Sequence, residues 1–491
     1  MRSLLDLPEP DSTDLAHLRR RSASAPRLET FTLALKTITP ILGGGPVARS
    51  PELPSVDIIR VPTLRGHLRF WWRALYGHAY VARGTEGAWE LARKERELWG
   101  GMGRAGGVDD AGPRRSQVEL RVTEVQQAQG DSSDVDRAPR GVYALWPAIT
   151  KPGLRDLPRW RPGLRFTLEV VAPEGEAMLQ VRNAVRAWIL FGGYGSRGRR
   201  GCGSVDVATG DKAIREQWLP AEASREALRQ LMGGLPLFLA RPEAPRCDMP
   251  LLQDAFLYRA HRRAPYSSGV AAWEVALQWL RDFRQGTESW GDGLPLPARN
   301  PKKEGREGRS NWPEADKIRR FARPSPKDEV GTATGRAYPE EHAPRPGHSA
   351  SPAWPRAGFG LPIAFRFQRE NKHKTPYSPQ EPVGCVLQWA RKNNGKWERM
   401  DRLASPLIVK AMPLSNGQFE PVALWLHRGT PVNGRVVVVQ GKAVLSRSEV
   451  AFERSFRASD DQPLFSPLQR ADNLRDAFFQ WLKDTQKAQE A

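Results

Sequence analysis

MLQVRNAVRAWILFGGYGSRGRRGCGSVDV, residues 178–207, decides how this chain is read. Its glycine segment contains GYGSRG, which spells the dinucleotide pattern G-x-G-x-x-G. That pattern has physical meaning only when a strand leads into the glycines and a helix leaves them, so that the helix N-terminus faces a pyrophosphate. Here the order is reversed. Val181, Val185, Trp188 and Ile189 recur at helical spacing before the glycines, and Ser204–Val207 reads as a short strand after them. The stretch therefore predicts a helix–loop–strand connection and argues against a nicotinamide or flavin site. What remains in the loop is charge: Arg197, Arg199 and Arg200, with no acid between Gly192 and Ser204. Glycines let backbone approach a ligand closely, and arginines select phosphate or carboxylate.

Working outward, TFTLALKTITPIL (30–42) opens with Phe31, Leu33 and Leu35 in alternation, a strand. QVELRVTEV (117–125) and LRFTLEVV (164–171) alternate in the same way, and VPTLRGHLRFWWRALYG (61–77) has a helical period. The succession is β-α-β-β-α-β with long insertions, the ferredoxin-like unit: an antiparallel sheet with both helices on one face. After a linker near residue 210 come a helix at 272–285, strands at GLPIAFRF (360–367), SPLIVKAM (405–412) and PVALWLH (421–427), and a C-terminal helix around 471–486. These predict a second, degenerate copy. The expected class is α+β, with a basic flexible arm over 1–28, one unit over 29–209 and another over 210–491. Residues 286–308 and 322–357, rich in Pro, Gly and charge, read as loops or disordered insertions.

Over 491 residues the formal net charge is +20, spread from end to end, so polyanions are the expected partners. Nucleic acid comes first. A membrane surface is disfavoured, because no apolar run of about 18 residues exists. Three cysteines, Cys202, Cys247 and Cys385, indicate neither a disulfide framework nor a zinc ribbon. MRSLLDLPEP breaks at acids and prolines before a signal-peptide core can form, so a cytoplasmic location is the expectation.

In the 61–77 segment, Leu64, Leu68, Trp71 and Leu75 form one helical stripe, with Arg65, Arg69 and Arg73 beside it. One face packs and the next is positive. Pro62 and Thr63 suit the helix entry, Thr63 as N-cap, and Gly66 in the first turn points to close approach by a ligand. A phosphate there would meet free N–H groups, the positive dipole end and Arg65. Trp72 reads either as a base-stacking platform or as core. His67 stands among the arginines without a visible nucleophile or partner, and no D-x-D or H-E-x-x-H spacing offers a metal set. GRSNWPEADKIRRF (308–321) sets Arg309, Lys317, Arg319 and Arg320 around a Trp-Pro-Glu turn, equally suited to RNA contact and to a plain helix.

Together, TPILGGG (39–45), PTLRGHLRFWWRAL (62–75), GGYGSRGRRGCGS (192–204), GRSNWPEADKIRR (308–320) and FGLPI (359–363) resemble the RAMP superfamily of CRISPR proteins. More narrowly they resemble the family of Cmr subunit one of type III-B effector complexes. The resemblance spans residues 29–440 and implies two ferredoxin-like, RRM-related domains that bind RNA. It implies a subunit near the 3′ end of the guide crRNA that helps capture target RNA while other RAMP subunits cut; no cofactor and no metal are expected. Carried over by position, the glycine loop is Gly193, Gly195, Arg197, Arg200, Gly201 and Gly203. The helix motif is Arg65, Gly66, Arg69, Trp72 and Arg73. With Arg199, Arg309, Arg319 and Arg320 these are the expected RNA contacts.

The expected function is thus a non-catalytic RNA-binding subunit. The alternative from another class is a metal-independent endoribonuclease of the same superfamily that processes guide RNA through His67. A general polyanion binder with no CRISPR role is the third reading.

Overall fold

The alternation in the first strand has a direct structural result. Leu33 and Leu35 are buried on one face of β1 (Leu28–Thr37), and Leu33 sits opposite Leu168, which sits opposite Val122. This row belongs to an antiparallel sheet that follows β1 with helices α1 (Val61–Tyr76) and α2 (Gly84–Trp99), strands β2 (Glu119–Gln126) and β3 (Arg165–Pro173), helix α3 (Glu176–Phe191) and strand β4 (Val205–Val207). The strand order is β2-β3-β1-β4. This computed structural model describes residues 26–43, 58–103, 112–126, 142–145, 159–241, 248–260, 265–285, 312, 314–315, 318, 354–365, 384–429, 434–441, 443–444, 471 and 473–491.

The second half repeats the pattern with β5 (Leu251–Ala260), α4 (Gly269–Gln285), β6 (Leu407–Pro413), β7 (Phe419–His427), α5 (Leu474–Gln486) and β8 (Ala488–Glu490). Its sheet runs β6-β7-β5-β8, every pair antiparallel, so second, third, first and fourth strands occupy the same places as in the first half. One expected strand moves. Ile363–Phe365 of GLPIAFRF pairs instead with Cys385–Asn393 in a separate sheet that also holds Lys396–Met400, Gly434–Gln440 and Ala443–Val444. The first strand of the second unit is β5, from a stretch the sequence reading left unassigned.

The two sheets share helices. Met178, Val181, Ala184, Val185 and Trp188 of α3 lie in one core with Leu168 and Val170 below and Ile408, Met412 and Leu424 above. Strand β6 is therefore covered on both faces. Ile408 and Met412 lie on the side of α3, while Leu407, Val409 and Ala411 share a core with Trp273, Ala276 and Leu280 of α4. Each fully buried aliphatic side chain contributes about 1.5–3 kcal/mol.

Near residue 210 there is no loose linker. Asp211 caps the helix Lys212–Trp218 and Ser224 caps Arg225–Leu231, and Trp218 and Leu228 enter the shared core. Arg215 bonds Asp206 at 3.0 Å and the carbonyls of Leu414 and Ser415 at 2.8 and 3.0 Å, tying β4 to the β6–β7 turn. Of the insertion expected over 322–357, Trp354–Ala357 is packed, with Trp354 and Ala357 in a small core beside Phe365 and Leu387. Residues 286–308, 322–353 and 1–25 lie outside the described residues, and β1 begins at Leu28, the last residue of the expected arm. Cys202 and Cys385 are buried. Among the described residues no helix is long and apolar enough to cross a membrane.

Candidate nucleic-acid interface

The glycine loop leaves α3 at Gly192, whose N–H closes the last helical turn on Trp188 O at 2.9 Å. It then folds on itself, with Tyr194 N–H donating to Gly203 O at 2.8 Å. A Cβ on Gly203 would stand 1.9 Å from Tyr194 O, and one on Gly193 2.7 Å from Cys202 O, so both positions need hydrogen. The TPIL segment stitches the outside. Thr39 Oγ1 donates to Gly201 O at 2.6 Å and accepts from Ser204 N–H at 2.8 Å, and Ser196 N–H donates to Leu42 O at 2.6 Å. A Cβ on Gly195 would come 2.9 Å from Leu42 O.

The second half then clamps the loop. Gly201, at φ +76°, lies under the Trp273 indole, whose Nε1–H donates to Arg200 O at 2.6 Å. Arg199 donates to Ser405 O, and Arg200 Nη1 donates to Leu407 O at 3.3 Å. Lys410, fully buried on β6, donates to Ile189 O and Gly192 O at 2.7 and 2.8 Å. It thus caps the negative end of α3 with a cation. Burial pulls its ammonium down to about 7.

Arginine content and arginine availability differ across this loop. Burial lowers Arg199 to about 10 and Arg200 to about 9, so both remain cations at neutral pH, half-buried and bonded to carbonyls. Among the described residues no carboxylate is hydrogen-bonded to them. Arg197, in the left-handed region at φ 61°, is exposed, and no hydrogen bond or ion pair holds its guanidinium among the described residues. Burial lowers it first, with the like charges of Arg284 and Arg402 adding to the shift. Arg284 and Arg402, from distant parts of the chain, are therefore within electrostatic reach of this exposed turn.

The expected helix stripe is placed differently. Leu64, Leu68, Trp71 and Leu75 are buried as expected, but Arg65 donates to Ser116 Oγ at 2.6 Å and Val118 O at 3.0 Å. Arg69 and Arg73 share Glu95 of α2 at 2.6 and 2.5 Å. The helix does meet the loop, through Arg60 N–H on Tyr194 Oη at 2.8 Å, His67 beside the Tyr194 ring and Phe70 beneath the Arg199 guanidinium. Arg69 and Arg73 thus face α2, and Arg65 faces the segment that leads into β2. Trp72 is 3 % exposed and donates to Gln180 Oε1 at 2.8 Å, so its indole sits in the core with no face open to a base. Arg60, not Thr63, occupies the N-cap, without a side-chain cap. Gly66 is exposed, and a Cβ there would meet nothing within 4 Å, which leaves its approach open to a ligand.

Among the described residues no carboxylate pairs with His67, and burial lowers its pKa, which favours the neutral ring. Its Nε2 is buried without a hydrogen-bond partner among the described residues. Arg309, Arg319 and Arg320 lie outside the described residues. The described residues of their motif are packed. Trp312 Nε1–H donates to Arg284 O at 3.1 Å, and the wholly buried Glu314 accepts from Arg356 N–H at 2.6 Å and Nε–H at 3.2 Å. Trp312 thereby fixes the end of α4 from which Arg284 projects, its Nη1 donating to Tyr143 Oη at 3.2 Å. Sequence reasoning missed Arg284, Arg402 and Lys410. The one local signal is a basic residue in the last turn of α4, which is common to most helices. Among the described residues no group of three His, Cys, Asp or Glu side chains could hold a metal.

Residues 34–206 match the family model described as the RAMP superfamily, the superfamily expected from the motifs. Among solved structures, the chain is similar to Cmr1 from Pyrococcus furiosus in its apo form, at 14 % identity over 85 % of this chain and 92 % of that one, TM-score 0.38. It is also similar to a chain of the type III-B Cmr-beta complex bound to cognate target RNA, at 13 % identity over 82 % and 94 %, TM-score 0.37. A third similar chain comes from that complex with cognate target RNA and AMPPnP in the presence of ssDNA, at 12 % identity over 81 % and 94 %, TM-score 0.38. No curated protein matches.

Proposed function

We propose, from the RAMP superfamily match over 34–206, that this chain is a non-catalytic RNA-binding subunit of a type III-B CRISPR ribonucleoprotein. In this reading both halves are ferredoxin-like units, the divisions 29–209 and 210–491 are its domains, and the subunit sits near the guide 3′ end to help capture target RNA. The observation that supports RNA binding is the exposed Arg197, within electrostatic reach of Arg284 and Arg402, in the same turn as Arg199 and Arg200, to which no carboxylate is hydrogen-bonded among the described residues. An incoming phosphate relieves that like-charge crowding, and it needs no base-specific contact. The partners are accordingly guide and target RNA together with neighbouring subunits.

The guide-processing nuclease has less support, since His67 faces Tyr194 and lacks a partner to orient or charge it. The experiment is a salt titration of single-stranded RNA binding by the full chain and by Arg197→Ala. The variant should bind more weakly, with a log–log salt slope shallower by about 0.7 for the lost phosphate contact. An unchanged slope would remove Arg197 from the RNA path.

A further inference from the structure

In the hairpin formed by Cys385–Asn393 and Lys396–Met400, every residue from Arg391 to Arg399 is exposed. Its register sorts the charges. Trp397 pairs with Lys392, and Arg399 pairs with Ala390, which on its other side pairs with Arg435. Directly paired residues share a face, so Lys392, Trp397, Arg399 and Arg435 stand together. The acid of the strand, Glu398, pairs with Arg391 on the opposite face, where Asn393 Nδ2 donates to it at 3.3 Å. Among the described residues no carboxylate pairs with Lys392 or Arg399.

The aromatic member is already held. Arg435 lies 3.7 Å from the Trp397 ring centroid, a cation–π contact that orients the indole yet leaves the residue 39 % exposed. Three neighbouring strands thus present an oriented aromatic ring among three cations, and none of the described residues of these strands places an acid on that face.

We propose that this face is a second contact surface for single-stranded RNA, in which Trp397 stacks on a base while Lys392, Arg399 and Arg435 take the flanking phosphates. Ring plus cations is the combination that binds single strands without reading sequence. An acidic protein segment would use the charges and leave the ring without a partner of matching shape. The proposal goes beyond the loop reading and assigns the third sheet, which lies outside both four-stranded sheets, a task of its own.

The test uses the full chain and a fluorescein-labelled oligouridine of about 15 nucleotides, with binding followed by anisotropy across a salt series. Trp397→Ala should weaken binding about tenfold with little change in salt slope, and Trp397→Phe should restore most of it. Lys392→Ala with Arg399→Ala should make the slope shallower by about 1.4, at ~0.7 per phosphate contact. These positions are exposed, and unchanged circular-dichroism melting would confirm that the variants fold. If the hairpin variants bind like the parent while Arg197→Ala does not, this proposal fails and the loop reading stands. If the parent binds no RNA, both fail. If RNA binding is intact but the hairpin variants no longer join a larger assembly, the face takes a protein and the proposal is overturned.

Discussion

Gly201→Ala measures how firmly the glycine loop is docked on the second half. The new methyl would be 2.4 Å from Trp273 Cδ1, 2.6 Å from its Nε1 and 2.9 Å from Val409 O, at a backbone φ of +76°. The left-handed conformation costs about 1–2 kcal/mol for an L side chain. Forcing the indole and strand apart adds about 1–3 kcal/mol. The sum, about 2–5 kcal/mol, is a large part of the 5–15 kcal/mol that separates ordinary folded and unfolded states. Urea unfolding of the full chain, followed by far-ultraviolet circular dichroism, should show a clearly lower midpoint. RNA affinity should fall with it, because the same turn presents Arg197. Gly66→Ala is the control: its methyl meets nothing within 4 Å, and a helical alanine should raise stability by up to about 1 kcal/mol. If Gly201→Ala unfolds at the parental midpoint, the loop is not held beneath Trp273 and the clamp described above is wrong.

Glu95→Gln removes the carboxylate that Arg69 and Arg73 share, and should cost about 1–3 kcal/mol in unfolding free energy while leaving RNA affinity unchanged. A rise in affinity would mean that the freed arginines reach RNA after all. Lys410 has its folded pKa lowered to about 7, below its usual 10.5, so the penalty for charging it is full below about pH 7 and fades as pH climbs toward 10.5. The stability of the parent relative to Lys410→Met should therefore increase with pH across that window, by at most about 1.4 kcal/mol per unit, in denaturation series at pH 7 and 9.5. A difference independent of pH would show that the ammonium stays charged on its two carbonyls. His67→Ala should leave both guide maturation and target cleavage by the assembled complex intact. Guide RNA with altered ends, from a variant that folds normally, would instead favour the nuclease reading.

The first β-α-β-β-α-β succession was legible because its strands have one covered face and alternate, as Leu33, Leu35, Phe166 and Leu168 do. Strand β5 was not legible. In LLQDAFLYRA, Leu252 and Leu257 enter the core around α1 while Phe256 and Tyr258 stack on Phe479 of α5, so burial on both sides erases the period-two pattern. Helix α2 was passed over because charge dominates GTEGAWELARKERELW, although its Glu95 holds two arginines of α1. At the site, the glycines and Arg197 announced themselves by local composition. Which arginines were already engaged could not be read, since Ser405, Leu407, Arg284 and Arg402 reach the loop only through docking of distant elements. The same holds for Trp72, whose spacing fits either surface or core until α3 brings Gln180 to its indole.

The middle layer of helices has a mechanical consequence. Because α1 and α3 are gripped from both sides by interdigitated side chains, no plane of weakness runs between the two sheets. A push on the glycine turn would be met by Lys410, which joins β6 to the end of α3, and by Arg215, which joins β4 to the β6–β7 turn.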